Sequence, residues 1–212
     1  MRYKKRMQSV FVILCLIMTL CGCGNVSGDT IFLSAVRDYN ENSLISAIEK
    51  FEKASEKGLE RYSEGELYTY LGHCHIELDM CDRAIEYYIQ AVESEPDRVE
   101  YVVNLAIAYR QSGDNKTAME LYLQAMEINP DYPELNSSLG SLYVLENDPE
   151  TAIYYFNRAV ELDPSLAVAY GNGALAYAMA GDFEMAEEYL EMSITRGYEN
   201  AEIIRERIEA LR

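Results

Sequence analysis

Residues 133–164 read PELNSSLGSLYVLENDPETAIYYFNRAVELDP, and this stretch decides the fold. Before a polar break at residues 146–148, Leu139 and Tyr143 are spaced to lie on one face of a helix. After the break, Ala152 and Phe156 have the same spacing. The stretch therefore predicts two short helices that fold back on each other.

The same pattern recurs every 34 residues from Gly65 onward. Each unit has a central alanine, at Ala84, Ala118, Ala152 and Ala186. Four residues later comes a large side chain, at Tyr88, Tyr122, Phe156 and Leu190. Twelve residues before the central alanine comes a small residue, at Gly72, Ala106, Gly140 and Ala174. Small residues let paired helix backbones approach closely and large ones fill the seam, so the pattern predicts stacked helix pairs.

Turn and cap residues support the predicted helix boundaries. The turn inside each unit carries a residue that tolerates a left-handed backbone, namely Asp79, Gly113, Asn147 or Gly181. Ser63 and Glu66 have the spacing of a capping box, in which each side chain satisfies a free N–H at the start of a helix. Pro149 directly follows Asp148, which is typical of a first-turn proline behind an N-cap.

These residues resemble the tetratricopeptide repeat family, whose consensus combines aromatic residues, a Leu-Gly pair, paired alanines and a closing proline. In the first clear unit these positions hold Tyr68, Leu71, Gly72, Ala84, Tyr88, Ala91 and Pro96. The resemblance implies an all-α, right-handed superhelical solenoid of antiparallel helix pairs. We expect repeats at 65–98, 99–132, 133–166 and 167–200, a degenerate helix pair at 30–62, and a C-terminal capping helix at 201–212.

The amino terminus predicts an export signal, because basic residues at positions 2–6 precede a short apolar run at 11–20. Leu20 and Gly22 before Cys23 resemble a bacterial lipobox, although Cys21 departs from its usual pattern. The resemblance implies a signal peptide at 1–22, a lipid on Cys23 and a tether at 23–29. We therefore expect a membrane-anchored lipoprotein on the extracytoplasmic side of the cell envelope. The alternative is an ordinary secretory signal that is cut nearby.

The net charge of −18 limits the kinds of partner. Phosphates would be repelled by so acidic a chain, so we expect no nucleic-acid partner. An anionic membrane surface would be repelled as well, and the lipid on Cys23 would have to supply the attachment. A basic protein partner fits this charge better.

Catalytic and metal-binding patterns are weak in this sequence. His73, Cys74, His75 and Cys81 could suggest a metal site, but residues two apart on a helix point in different directions. A pair of packed thiols is the simpler interpretation, and a Cys74–Cys81 disulfide would need closely matched geometry. The tyrosines mostly occupy repeat positions, which favours core packing over an aromatic ligand box. We expect no cofactor, no metal and no catalytic residues.

Resemblance to the family implies a concave groove that is lined by the first helix of each unit. The groove residues are Glu66, Thr69, His73 and Glu77, then Glu100, Val103, Ile107 and Arg110, then Ser137, Ser141, Val144 and Leu145, and finally Gly171, Leu175 and Met179. Their character changes from acidic and polar to apolar along the chain. This gradient predicts a peptide or helix partner that is basic toward one end and apolar toward the other. The alternative is that neighbouring repeats cover Val144, Leu145, Leu175 and Met179.

The basic positions of the family's carboxylate clamp hold Thr69, Val103, Glu134, Ser138 and Val168, so chaperone-type partners are disfavoured. The leading hypothesis is a non-enzymatic protein-interaction scaffold. An assembly factor for an envelope machine, such as a pilus or outer-membrane assembly system, is the second hypothesis. An enzyme or enzyme accessory subunit is the third.

Overall fold

The computed structural model describes residues 26–212. The predicted signal peptide at 1–22 and the predicted lipidation site Cys23 lie outside the described residues. The chain divides into two compact units at the Tyr62–Ser63 junction, and each unit is described by itself. All regular secondary structure between residues 26 and 212 is α-helical.

The first unit is a helix pair formed by α1 (Gly28–Asn40) and α2 (Leu44–Lys57). Phe32 and Phe51 are buried at its centre, with ring centroids 5.4 Å apart in an edge-to-face arrangement. Ala47 and Ala54 are fully buried beside them, within the helix pair predicted at 30–62.

The predicted tether at 23–29 ends earlier than expected, because Gly28 and Asp29 are the first residues of α1. The Asp29 carboxylate accepts hydrogen bonds from the backbone N–H groups of Glu60 and Arg61, at 3.1 and 3.2 Å. Gly28 lies against the backbone of Gly58, where a Cβ atom would come within 1.9 Å of the carbonyl oxygen. These contacts hold the two residues in the folded unit.

The second unit consists of four helix pairs followed by one further helix. The first helices of the pairs are α3 (Glu64–Glu77), α5 (Val99–Gln111), α7 (Pro133–Leu145) and α9 (Ala167–Met179). The second helices are α4 (Cys81–Ser94), α6 (Asn115–Ile128), α8 (Pro149–Leu162) and α10 (Phe183–Thr195). The last helix is α11 (Ala201–Glu209). Each second helix also packs against the first helix of the next pair, which gives the solenoid arrangement expected from the sequence.

The turns and most of the caps follow the sequence prediction. Asp79, Gly113, Asn147 and Gly181 all have positive φ, between 57° and 91°. Ser63 and Glu66 form the complete capping box, and the Asp148 side chain accepts from the Thr151 N–H behind Pro149. Asn200 occupies the N-cap position of α11, but its side chain makes no capping hydrogen bond.

Close contact between a glycine and an aromatic ring sets the spacing within the first and third helix pairs. A Cβ atom on Gly72 would lie 2.5 Å from the Tyr88 ring, and one on Gly140 would lie 2.9 Å from the Phe156 ring. Leu139 and Phe156 are almost completely buried at this seam. The structure therefore confirms the packing role predicted for the small and large positions of the repeat.

The first helices of successive pairs form one continuous row. α3 contacts α5, α5 contacts α7, and α7 contacts α9. The last helix α11 contacts both α9 and α10, so it continues the same row beyond the fourth pair. This row carries the residues that the sequence predicts for the groove. Among residues 26–212, no helix is long and apolar enough to cross a membrane.

We expect Gly140→Ala to destabilise the protein by about 1–3 kcal/mol, because the added methyl group meets the Phe156 ring. Urea unfolding of the full chain in detergent measures the change. The double variant Gly140→Ala with Phe156→Leu provides the control, since the fourth pair already combines Ala174 with Leu190 at these positions. We expect the double variant to be more stable than the sum of the two single changes predicts. Strict additivity would contradict this account of the seam.

Candidate functional site

The groove residues of the first pair lie along α3 with unequal exposure. Glu77 is exposed at the end of the helix, whereas Glu66, Thr69 and His73 are half-buried. The Glu66 carboxylate accepts from the Ser63 N–H and so stabilises the start of the helix. At this end of the row, the exposed groove side chain is therefore the acidic Glu77.

His73 is held by the second helix of its own pair. Its Nδ1 atom and the Tyr88 hydroxyl share a hydrogen bond of 2.7 Å. Burial lowers the pKa of His73 below its usual 6.5, although the nearby Glu77 carboxylate acts in the opposite direction. His75 lies on a different face of α3, where its ring stacks on Tyr87.

The second and third pairs divide their groove residues between core and surface. Glu100 is exposed, and Ile107 and Arg110 are half-buried. Val103 and Ser137 are buried within the row of helices, so their side chains are not accessible to a partner.

The last turns of α7 are more open. Ser141 and Val144 are half-buried, and Leu145 is 56% exposed. The structure therefore favours an accessible Leu145 over one that neighbouring repeats cover.

The groove residues predicted for the fourth pair are the least accessible ones. Gly171 is buried beneath Tyr198, whose ring would lie 2.3 Å from a Cβ atom at that position. Leu175 is only 3% exposed, because it belongs to a core cluster that includes Ile204 and Ile208 of α11. Met179 is half-buried beside the same cluster. The apolar end of the predicted groove thus serves as the docking surface of the chain's own last helix.

A small cavity of about 150 Å³ opens on the row where α5, α7, α9 and α11 come together. Its walls are formed by Arg110, Ser141, Val144, Leu145, Asn172, Leu175 and Arg207. Five of these seven side chains are among the groove residues predicted from the sequence. Asn172 and Arg207 also line the cavity but are not among the predicted groove residues.

A hydrogen-bonded chain fixes the polar wall of this cavity. The Tyr198 hydroxyl donates to Asn172 Oδ1 at 3.4 Å, and Asn172 Nδ2 donates to Ser141 Oγ at 3.3 Å. Ser141 Oγ in turn donates to the Ser137 carbonyl at 3.0 Å. Burial raises the pKa of Tyr198, with Asn200 and Arg207 acting in the opposite direction. Tyr198 is therefore a neutral donor at physiological pH.

The cysteines near the first pair are free thiols. Cys74 is completely buried at its packing position, and burial raises the pKa of its thiol to about 11. Cys81 is the first residue of α4 and is half-buried. Within residues 26–212, no group of three or more His, Cys, Asp or Glu side chains is arranged to hold a metal ion.

Comparison with known protein families identifies the repeat. A model described as tetratricopeptide repeat matches residues 65–98 and 133–166, and a second model described as TPR repeat matches residues 107–147. No curated protein matches the chain.

Solved structures show the same fold. A thermophilic TPR protein of Thermus thermophilus has a TM-score of 0.71 at 18% identity, over 87% of this chain and 98% of that chain. The Cut9–Hcn1 hetero-tetramer of the APC/C contains a region with a TM-score of 0.80 at 19% identity, over 89% of this chain and 37% of that chain. A tetratricopeptide repeat protein of Parabacteroides merdae has a TM-score of 0.63 at 20% identity, over 87% and 72% of the two chains. At these identities the likeness shows the fold alone.

We expect His73 to make the protein less stable as the pH falls through about 6.5, the usual pKa of histidine. Its pKa is lowered in the folded state, so the unfolded chain binds the proton more readily and acid favours unfolding. Urea unfolding at pH of about 7.5 and about 5.5 measures the effect, with His73→Gln as the variant that cannot titrate. The stability of the wild type should decline more over this interval than that of the variant. Equal declines would contradict the assignment.

Proposed function

The chain belongs to the tetratricopeptide repeat family, whose repeats serve as protein-interaction scaffolds, and on this premise we propose that it binds a segment of a partner protein along its row of first helices. The segment is a peptide or a helix. The role is one of binding and not of catalysis. The observation that carries the proposal is the exposed and half-buried surface along the row from α3 to α7, which ends at the cavity bounded by α11.

The chemistry of this surface supports a partner with two different ends. Glu77 and Glu100 are exposed toward the amino-terminal end of the row, where they favour basic side chains. Ile107 and Val144 are half-buried and Leu145 is largely exposed further along, where they favour an apolar side chain. Such a surface suits a segment that is basic toward one end and apolar toward the other.

We further propose that the scaffold is attached to the extracytoplasmic side of the cell envelope by a lipid on Cys23. Support comes from the sequence, in which a basic start, an apolar run and a lipobox-like ending with Leu20 and Gly22 precede that cysteine. Because the acidic chain would be repelled by anionic headgroups, the acyl chains would supply the attachment. The partner would then be another exported or envelope protein.

Site-specific photo-crosslinking in native membranes tests the binding surface. A crosslinking amino acid at position 145 should give discrete adducts, because Leu145 lies on the row and is 56% exposed. Position 123 is the matched control, because Leu123 is 57% exposed but lies on the second helix α6. Leu145→Asp should abolish adducts from a crosslinker at Ile107, whereas Leu123→Asp should leave them unchanged. Equal adducts at positions 145 and 123 would contradict the proposed surface.

Metabolic labelling with a radioactive fatty acid tests the anchor separately. We expect the wild-type chain to incorporate the label and to sediment with membranes. Cys23→Ser should lose both properties, since it removes the thiol that would carry the lipid. Cys21→Ser is the control and should retain both. Label incorporation by Cys23→Ser would refute lipidation at this residue.

A further inference from the structure

The first helix of the chain, α1, exposes a face without a carboxylate, although the protein is strongly acidic. The face consists of the four exposed residues of the helix, Thr30, Leu33, Arg37 and Asn40. Their spacing of three or four residues places them in one stripe along the helix. Leu33 is 50% exposed within this stripe. We call these four residues the α1 face.

Both acidic residues of α1 are directed into the first unit and away from this face. The Asp29 carboxylate is buried, and it accepts hydrogen bonds from two backbone N–H groups of the loop that follows α2. The Asp38 carboxylate pairs with Lys50 of α2 at 2.6 Å and accepts a hydrogen bond from the Ser46 hydroxyl. Arg37 is therefore the charged side chain of the α1 face.

Other helices of the protein expose carboxylates on their outer faces. Each second helix of the repeat unit (residues 63–212) does so, with exposed acidic residues that include Glu86, Glu120, Glu161 and Glu187. The outer face of α2 exposes Glu49 and Glu52. A single exposed leucine needs no explanation in a folded protein. The combination of Leu33 with Arg37 on a face without carboxylates is what separates α1 from these helices.

The first unit also carries little of the protein's negative charge. Residues 26–62 contain seven acidic and five basic side chains, which gives a net charge of −2. Residues 63–212 contain 29 acidic and nine basic side chains, which gives a net charge of −20. The exposed residues between positions 56 and 61 include two acidic and two basic side chains. Repulsion by anionic headgroups therefore acts chiefly on the repeat unit, and the first unit can approach a membrane surface.

A lipid on Cys23 would hold the start of α1 close to the membrane. Gly28 follows Cys23 by five residues, and an extended chain spans at most about 3.6 Å per residue, so their Cα atoms are no more than about 18 Å apart. Leu33 lies five residues further along α1, which adds about 7.5 Å at 1.5 Å per helical residue. The exposed Glu41 follows α1 at its other end, farther from the lipid.

We propose that the α1 face lies on the lipid surface, with Leu33 at the boundary between headgroups and acyl chains and Arg37 at the lipid phosphates. An apolar side chain gains burial at this boundary, and a basic side chain is attracted to anionic headgroups. Thr30 and Asn40 donate hydrogen bonds to headgroup oxygens. This inference rests on the proposed lipid at Cys23, and it assigns the membrane contact to the first unit.

Tryptophan fluorescence tests the contact, because the chain contains no tryptophan of its own. Leu33→Trp places a single reporter on the α1 face. Ile45→Trp is the matched control, since Ile45 is 62% exposed in the first turn of α2, one turn before the exposed Glu49. Each full-length lipidated variant is reconstituted into vesicles of phosphatidylcholine and phosphatidylglycerol that contain lipids brominated near the top of the acyl chain.

We expect the emission of Leu33→Trp to move to shorter wavelength and to be quenched by the brominated lipid, and that of Ile45→Trp to change in neither way. Addition of Arg37→Glu should lower the ratio of membrane-bound to free α1, read from the quenched fraction, by about fivefold or more. Lys53→Glu makes the same change of charge at an exposed position of α2 and should leave that ratio unchanged. Circular dichroism of each variant shows that the helices are retained.

Equal quenching at positions 33 and 45, or equal effects of Arg37→Glu and Lys53→Glu, would overturn the proposal. So would discrete protein adducts from a crosslinker at position 33 in native membranes without quenching in vesicles, because the α1 face would then belong to a protein partner. An unquenched Leu33→Trp chain that carries the fatty-acid label would refute this inference and leave the anchor intact. Absence of the label from the wild-type chain would refute the anchor itself, and this inference with it.

Discussion

The close approach of the two helices in each pair is the constraint on which the repeat unit depends. At Gly72 and Gly140 the backbone lies so near to an aromatic ring that a methyl group would already be too close. The opposing rings, Tyr88 and Phe156, are buried at the centre of their pairs. Because protein interiors are closely packed, this contact fixes the spacing of the first and third pairs. The spacing in turn aligns the first helices into a row.

The last helix, α11, forms the end of the row of first helices. Solenoids need a terminal element that covers the apolar surface of the final repeat, and α11 does so by burying Ile204 and Ile208 with Leu175. The same docking brings Arg207 to the edge of a cavity that otherwise belongs to the second, third and fourth pairs. One short helix therefore stabilises the fold and supplies charge to the surface.

The basic side chains of the repeat unit fall into two groups, those that pair with carboxylates and those that do not. Most basic side chains of the repeat unit are paired with carboxylates on their own helix or a neighbouring one, and exposed pairs of this kind contribute little stability. Arg110 and Arg207 have no such partner among residues 26–212, and they lie together on the row.

The sequence by itself determined the helix pairs, their turns and the packing between paired helices. The helices depend on local spacing, and the turns depend on residues such as Asn147 and Gly181 that adopt positive φ. The packing depends on the size of the side chains at fixed positions of the repeat. It also placed Arg110, Ser141 and Leu145 on the first helices of their pairs. Only the tertiary structure decided which groove residues are accessible. Neighbouring elements cover Val103, Ser137 and Gly171. No local pattern in the sequence predicts that burial. Arg207 joins the cavity through the docking of α11 on α9, a contact between segments that are distant in sequence, so its role follows from packing and not from spacing.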